Sequence, residues 1–118
     1  MIKAAIIDEL NAAIETQAHV QTLNRNVYRA FGYDLSTIYM LLRLQQATDG
    51  IEIAVLAKAL NISSSALSLR ISTNVHLGLI SVKNVARDRR TKRVFLTQLG
   101  EQATQKFGTQ LHHILNKN

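Results

Sequence analysis

AVLAKALNISSSALSLRISTNVHLGLISVKNVARDRRTKRVFLTQLG, residues 54–100, contains the pattern of two short helices followed by a hairpin. Apolar residues recur at three- and four-residue steps and predict a helix over 54–60 and a second one that ends near Gly78. Asn61 tolerates the left-handed backbone that closes a helix, and Ser63 offers a hydroxyl to cap the next one. The inner face of the second helix would carry Leu67, Ile71 and Val75. Two helices joined by so short a turn form a helix-turn-helix.

A basic hairpin follows the second helix. A strand is predicted from about residue 79 to 85, and Arg93-Val94-Phe95-Leu96 forms its return strand. Residues 83–93 hold six basic side chains against one acid, Asp88, and therefore +5 of the net charge of +6. So concentrated a charge is typical of a surface that binds a polyanion, most often nucleic acid. The alternative is a solvated hairpin that happens to be basic.

The flanking segments are predicted to be helical. A long amphipathic helix runs from the start of the chain to Gly32. A second helix, with Ser36 or Asp34 as its N-cap, ends at the turn Asp49-Gly50, and the alternating residues 51–53 suggest a short strand. Thr97 can cap a last helix. We therefore expect a mainly α (α+β) fold, a winged helix-turn-helix with helices at both ends.

The terminal helices indicate a dimer. With 118 residues the chain is expected to be one domain, 1–118, in which 34–97 form the DNA-binding lobe, with the wing at 80–96. The helices at 1–33 and 98–118 carry apolar stripes that one lobe is too small to cover, so a second subunit is expected to cover them. The residues assigned to this dimerisation surface are Ile6, Leu10, Ile14, Phe107, Leu111, Ile114 and Leu115.

Other classes of protein are disfavoured by composition. The chain has no Cys, so it has no disulfide and no thiolate metal site, and its four His form no ligand pattern. The eight acids are scattered, with no recognisable catalytic pair. No signal peptide or membrane span is visible. We expect a cytoplasmic protein that is not an enzyme and carries no metal and no cofactor.

Residues 54–100 resemble the MarR family of winged-helix regulators. The resemblance rests on Leu56-Ala57, Ile62-Ser63, Gly78-Leu79-Ile80, Asp88-Arg89-Arg90 and Val94-x-Leu96-Thr97-x-x-Gly100, with Leu35-Ser36 also fitting. Three features depart from the family's pattern. Only 18 residues follow Gly100, which implies a shortened C-terminal dimerisation region. Asn74 stands where a Leu is usual, and Glu52 or Ala54 replaces the usual Ser or Thr cap.

The resemblance makes the helix after Ser63 the reader of the DNA major groove. Ser64, Ser65 and Ser68 lie near its N-terminus, off the apolar stripe, and can contact bases or phosphates. The alternative for these serines is capping and exposure to solvent. Arg70 can reach a phosphate or a guanine edge, or pair with an acid such as Asp8 or Glu52. Thr73 and His76 are further candidates for phosphate contact.

In the wing, the resemblance implies that Asp88 pairs with Arg90 and braces the loop. Arg89 would then enter the minor groove from the tip, where a guanidinium suits the negative potential of A·T-rich DNA. Arg87, Lys92 and Arg93 would contact phosphates. An exchange of roles between Arg89 and Arg90 stays open.

These observations predict a sequence-specific regulator, a repressor, that binds double-stranded DNA as a homodimer at a pseudo-palindromic site. Two alternatives remain: a winged-helix module that binds protein, and an architectural or partition DNA-binding protein without promoter control. The resemblance allows a small-molecule effector but the sequence does not predict one. Aromatic residues that could line its cleft are Tyr28, Phe31, Tyr33, Tyr39 and Phe107, although packing between helices accounts for them better.

Overall fold

The computed structural model of the protein describes residues 2–84 and 91–117. The elements in chain order are α1 (Ile2–Phe31), α2 (Leu35–Gln46), β1 (Ile51–Glu52), α3 (Ile53–Leu60), α4 (Ser64–His76), β2 (Ile80–Asn84), β3 (Lys92–Leu96) and α5 (Gln98–Lys117). This order matches the predicted one, and the expected winged helix-turn-helix fold is confirmed. None of the described helices combines the length and the apolar character that a membrane span requires.

The described chain divides into two compact units. The first takes in α1 and the end of α5 (Met1–Leu35 and Gln110–Asn118), and the second is Ser36–Thr109. The division therefore falls inside α5, and the first half of this helix groups with the lobe that contains α3 and α4.

The first unit is dominated by α1. All side chains from residue 4 to residue 22 are exposed. The helix ends at Gly32, whose φ of +77° is the left-handed conformation that glycine adopts without strain. The Asn24 Oδ1 accepts a hydrogen bond of 2.8 Å from the backbone N–H of Leu35, at the start of α2. Ser36, expected as a cap, is instead the second residue of α2, because the side chain of Asn24 satisfies the N–H group at the helix start.

The second unit has one apolar core. In it α3 contacts α4, β1 and β3, and α4 contacts β2. The buried apolar side chains of this unit are Ile38, Met40, Leu41, Leu44, Leu56, Leu67, Leu79, Ile80, Val94 and Phe107. Each helix contributes the residues of one face, as its three- and four-residue apolar spacing predicts.

The strands of the described chain form a three-stranded antiparallel sheet in the order β1-β3-β2. In the hairpin the register runs from Ile80 opposite Leu96 to Asn84 opposite Lys92. The short β1 pairs with the other edge of β3, with Ile51 opposite Val94. The predicted strand at residues 51–53 is thus confirmed in its first two residues, whereas Ile53 begins α3.

Thr97 fixes the start of α5 against the sheet. Its Oγ1 accepts a hydrogen bond from the Gly100 N–H at 3.0 Å and donates one to the Gly78 carbonyl at 2.6 Å. Its backbone N–H donates to the Leu79 carbonyl at 3.0 Å. The predicted cap is confirmed, and it joins the end of the α4 segment to the beginning of α5.

Candidate nucleic-acid interface

The turn between α3 and α4 has the geometry that its sequence predicts. Asn61 adopts the left-handed conformation, with φ 54° and ψ 47°, and its N–H bonds the carbonyls of Ala57 and Lys58. The Ser63 Oγ accepts a hydrogen bond of 3.1 Å from the Ala66 N–H and caps α4. Because both ends of the turn are fixed locally, the direction of α4 relative to α3 is set within three residues.

The inner face of α4 differs from the prediction at one position. Leu67 is buried, Ile71 is half-buried, and Val75, which was expected inside, is 43% exposed. Asn74 takes its place and is 2% exposed. A step of seven residues from Leu67 returns to the same side of a helix, whereas a step of eight turns about 80° away. The Asn74 Nδ2 donates to the Arg70 carbonyl at 2.8 Å, which makes this polar side chain tolerable inside.

This register defines the outer face of α4. We name as the outer line the residues opposite Leu67 and Asn74 at four-, three- and four-residue steps, all of them exposed: Ser65, Leu69, Ser72 and His76. Of the predicted contact residues, Ser65 lies on the outer line, and Ser68 and Thr73 flank it. Arg70 is half-buried toward the inner side, and its contact with DNA stays a prediction.

Sequence reasoning missed Leu69 and Ser72. Both follow from the helical period once Asn74, rather than Val75, is placed inside. The signal was hidden because an apolar Val next to a polar Asn normally indicates that the Val is the buried member of the pair.

At the base of the wing, two neighbouring cations point to opposite faces of the sheet. Lys92 is exposed and shares a face with the buried Val94, which is the side of the sheet that contacts α3. Arg93 points the other way, because side chains alternate along a strand. Its Nη1 donates to the carbonyls of Asp49 at 3.2 Å and Gly50 at 3.5 Å, and its Nη2 lies 3.6 Å from the Glu52 Oε1. Arg93, expected to contact phosphate, therefore holds the turn before β1 instead.

A cleft of about 370 Å³ opens where α3, α4 and β3 begin. It is lined by Glu52, Ile53, Ala54, Ala57, Ser64, Thr91 and Lys92. The first turns of two helices, whose N–H groups and dipoles favour anions, meet a lysine and a serine here. Glu52 is the acid of this lining, and its carboxylate faces Arg93. Ser64 thus belongs to the cleft rather than to the outer line.

The remaining wing residues of the prediction, Arg87, Asp88, Arg89 and Arg90, lie outside the described residues. Their assignment as brace, groove contact and phosphate contact stays a prediction.

The residues assigned to dimerisation differ in exposure. Ile6, Leu10 and Ile14 on α1 and Leu115 on α5 are exposed, and Leu111 and Ile114 are half-buried. Phe107 is buried within the chain itself. Its apolar surface is therefore already covered, which corrects its assignment to a surface for a partner subunit.

Comparisons with known proteins point to one fold. No protein-family model and no curated protein matches the sequence. Among solved structures, Sco3205, a MarR family transcriptional regulator from Streptomyces coelicolor in complex with DNA, is similar over 97% of this chain and 72% of its own, at 19% identity and a TM-score of 0.87. AbsC, a MarR family transcriptional regulator from the same organism, is similar over 98% and 76%, at 22% identity and a TM-score of 0.81.

A third similar structure is the complex of MepR from S. aureus with DNA. It matches 92% of this chain and 80% of its own, at 19% identity and a TM-score of 0.76. The fold that the sequence motifs predicted is the fold that these comparisons find. The chain has the winged-helix fold of the MarR-family transcriptional regulators.

Proposed function

We propose that the protein is a transcription regulator that binds double-stranded DNA. The observation that carries this proposal is the outer face of α4, which is exposed along its whole length and held by a helix-turn-helix. The chain places +5 of its net charge of +6 in residues 83–93, directly after this helix. An exposed helix that carries hydroxyls, with cations beside it, matches the division of labour at DNA interfaces, where cations bind phosphates and side chains in a groove read bases.

The DNA complexes of two similar structures support the same proposal. Sco3205 and MepR, both of this fold, were solved with DNA. In this chain the α4 outer line and Ser68 would enter the major groove. Lys92, with Ser64 and the first turns of α3 and α4, would hold a backbone phosphate in the cleft described above.

We further propose that the protein acts as a homodimer. A helix exposed on all sides from residue 4 to residue 22 gains little from its own chain, and isolated helices are only marginally stable in water. A second copy would cover the exposed residues Ile6, Leu10 and Ile14. Two-fold symmetry would then place two α4 helices on successive major grooves, about 34–36 Å apart.

The finer assignments belong to the same proposal. We place dimerisation in residues 1–33 and 98–118, where Leu111, Ile114 and Leu115 of α5 contribute, and DNA binding in 34–97. The regulator would be a cytoplasmic repressor. The alternatives, a protein-interaction module and an architectural or partition protein, share the fold but differ in what they bind or in where on the chromosome they bind.

The test is the salt dependence of DNA affinity. Duplexes enriched by the full chain from a random-sequence library should bind less tightly as salt rises from 50 to 200 mM, because bound phosphates release counterions. Lys92→Ala should reduce the slope of log Kd against log salt by about one unit, because one phosphate is then no longer neutralised. Lys106→Ala removes the same charge from an exposed site on α5 and should leave the slope unchanged.

Two results would contradict the proposal. If the library yields no enriched duplex, or if the affinity does not change with salt, the protein-interaction alternative is favoured. Enrichment of a defined sequence upstream of a gene, followed by repression of a reporter placed behind that sequence, would separate regulation from an architectural role.

A further inference from the structure

One side chain of the α4 outer line is out of character with its neighbours. Leu69 is 70% exposed, the largest exposed fraction among the large apolar side chains of the described residues. It lies in the middle of the outer line, between Ser65 and Ser72, with Ser68 and Thr73 on either side. The centre of the face is therefore apolar and its surroundings carry hydroxyls.

The fold does not account for Leu69. The inner face of α4 is complete without it, since Leu67, Ile71 and Asn74 already face the lobe. A leucine and a polar straight-chain residue have similar helix propensities, so helix stability does not require a leucine at this site. An isolated apolar side chain within a ring of hydroxyls also lacks the contiguous apolar area that a protein-docking surface needs.

The chemistry of the major groove gives this side chain a partner. Among the base edges exposed there, thymine alone presents a methyl group, whereas the other edges present hydrogen-bond donors and acceptors. A leucine at the centre of the reading helix would gain from covering a thymine methyl. At a cytosine, the same leucine would cover the N4 amino group without offering it an acceptor, which is unfavourable.

We propose that Leu69 is a specificity-determining residue that contacts the C5-methyl group of a thymine in each half-site. This inference rests on the proposed function, and it names the base that the centre of α4 selects. The flanking hydroxyls of Ser65, Ser68 and Ser72 can donate or accept and leave the apolar contact to Leu69.

The test removes the methyl group from the DNA and the side chain from the protein. Full-length protein selects duplexes from a random-sequence library, and each thymine of the enriched sequence is then replaced by deoxyuridine, which lacks only the methyl. At one thymine per half-site this replacement should weaken binding of the parent protein about fourfold, the factor that corresponds to about 0.8 kcal/mol for one buried methyl group. Leu69→Ala should bind the thymine duplex more weakly and should not distinguish it from the deoxyuridine duplex.

Leu77→Ala is the matched control. Leu77 is also an exposed leucine, at 46%, but it lies at the C-cap of α4 rather than on the outer line. This variant should keep the full response to deoxyuridine. Equal melting temperatures of the three proteins show that the fold is intact.

The outcomes separate the two levels of the proposal. If enriched DNA is bound and no single deoxyuridine matters, the role of Leu69 is overturned while DNA binding stands. A deoxyuridine effect that persists in Leu69→Ala also overturns it, because another residue then reads the methyl. If no duplex is enriched, the proposed function fails and this inference fails with it.

Discussion

At Gly100 the backbone of α5 packs directly on the sheet. A Cβ built there would overlap the carbonyl oxygen of Leu79 and approach the Leu96 Cδ1 to 2.7 Å. The same carbonyl accepts the Thr97 N–H, so it is not free to move. We expect Gly100→Ala to lower the free energy of unfolding by about 1–3 kcal/mol, as overpacking of a core does. Urea unfolding followed by circular dichroism measures this change.

Gly108 is the matched control, since it lies in the same helix. A Cβ there would meet no described atom within 4 Å. Gly108→Ala should therefore raise stability by up to about 1 kcal/mol, because glycine is the poorer helix former. If both substitutions raised stability alike, helix propensity would dominate and the close approach at Gly100 would be unimportant.

Arg93 and Lys92 carry the same charge and are adjacent, yet we expect them to serve different purposes. The Arg93 guanidinium bonds the carbonyls of Asp49 and Gly50 and faces Glu52. Arg93→Ala should cost about 1–3 kcal/mol of stability, the range for hydrogen bonds to a charged group, and should leave the salt slope of DNA binding as in the parent. Thermal melts and binding at several salt concentrations measure both. A large loss of slope with unchanged melting would restore Arg93 to the phosphate contacts.

Asp88 provides a prediction whose sign opposes simple electrostatics. It is the single acid among six bases in residues 83–93. Removal of an acid beside a polyanion should tighten binding, whereas removal of a brace for Arg90 should weaken it. We expect Asp88→Ala to weaken DNA binding at matched salt with an unchanged melting temperature, and Arg89→Ala to do the same. Tighter binding by Asp88→Ala would remove the basis for the brace.

Residues with local signals could be predicted from the sequence, whereas residues with distant partners could not. Asn61, Ser63 and Thr97 were found because a cap or a left-handed turn depends on the next few residues. Arg93 was misassigned because its charge is visible in the sequence, while its partners lie more than forty residues away. Asn74 was expected to replace a Leu, but the hydrogen bond to Arg70 that lets it do so at the expense of Val75 could not be foreseen.

At the scale of elements, the cap of α4 couples stability to reading. The Ser63 hydroxyl satisfies the Ala66 N–H at 3.1 Å. We expect Ser63→Ala to destabilise the protein by about 1 kcal/mol, the usual loss at an N-cap. Ser65→Ala changes the same residue type two positions later, on the outer line, and should weaken DNA binding with no loss of stability. Urea unfolding and binding anisotropy of both variants test this, and equal stability of the two would show that the cap contributes nothing.

The elements themselves were largely predictable because their periods differ. Three- and four-residue apolar steps identified the helices, and a run of β-formers identified β3. The partner of β1 was not predictable, since two residues carry no register, and only the structure pairs Ile51 with Val94. The grouping of the first half of α5 with the lobe was missed for a related reason. An apolar stripe shows which face of a helix is covered but not which unit covers it.

At the scale of the whole molecule, α1 poses the largest unresolved cost. Ile6, Ile7, Leu10 and Ile14 are exposed on neighbouring turns. Burial of each side chain is worth about 1.5–3 kcal/mol, so a second copy seated on this face would stabilise both helices substantially. We expect the parent protein to be a dimer by light scattering at micromolar concentration and Leu10→Asp to be a monomer, because a carboxylate cannot be buried unpaired in an apolar interface.

The control for this prediction adds the same charge elsewhere on α1. Ala12 lies about 200° around the helix from Leu10 and is also exposed, so Ala12→Asp should remain a dimer. DNA binding then distinguishes a functional dimer from an incidental one. A single α4 engages one half-site, so Leu10→Asp should lose most of its affinity for a duplex with two half-sites and should no longer respond when the spacing between them is changed by half a helical turn. A Leu10→Asp monomer that binds the full site as tightly as the parent would show that reading by α4 does not depend on the second subunit.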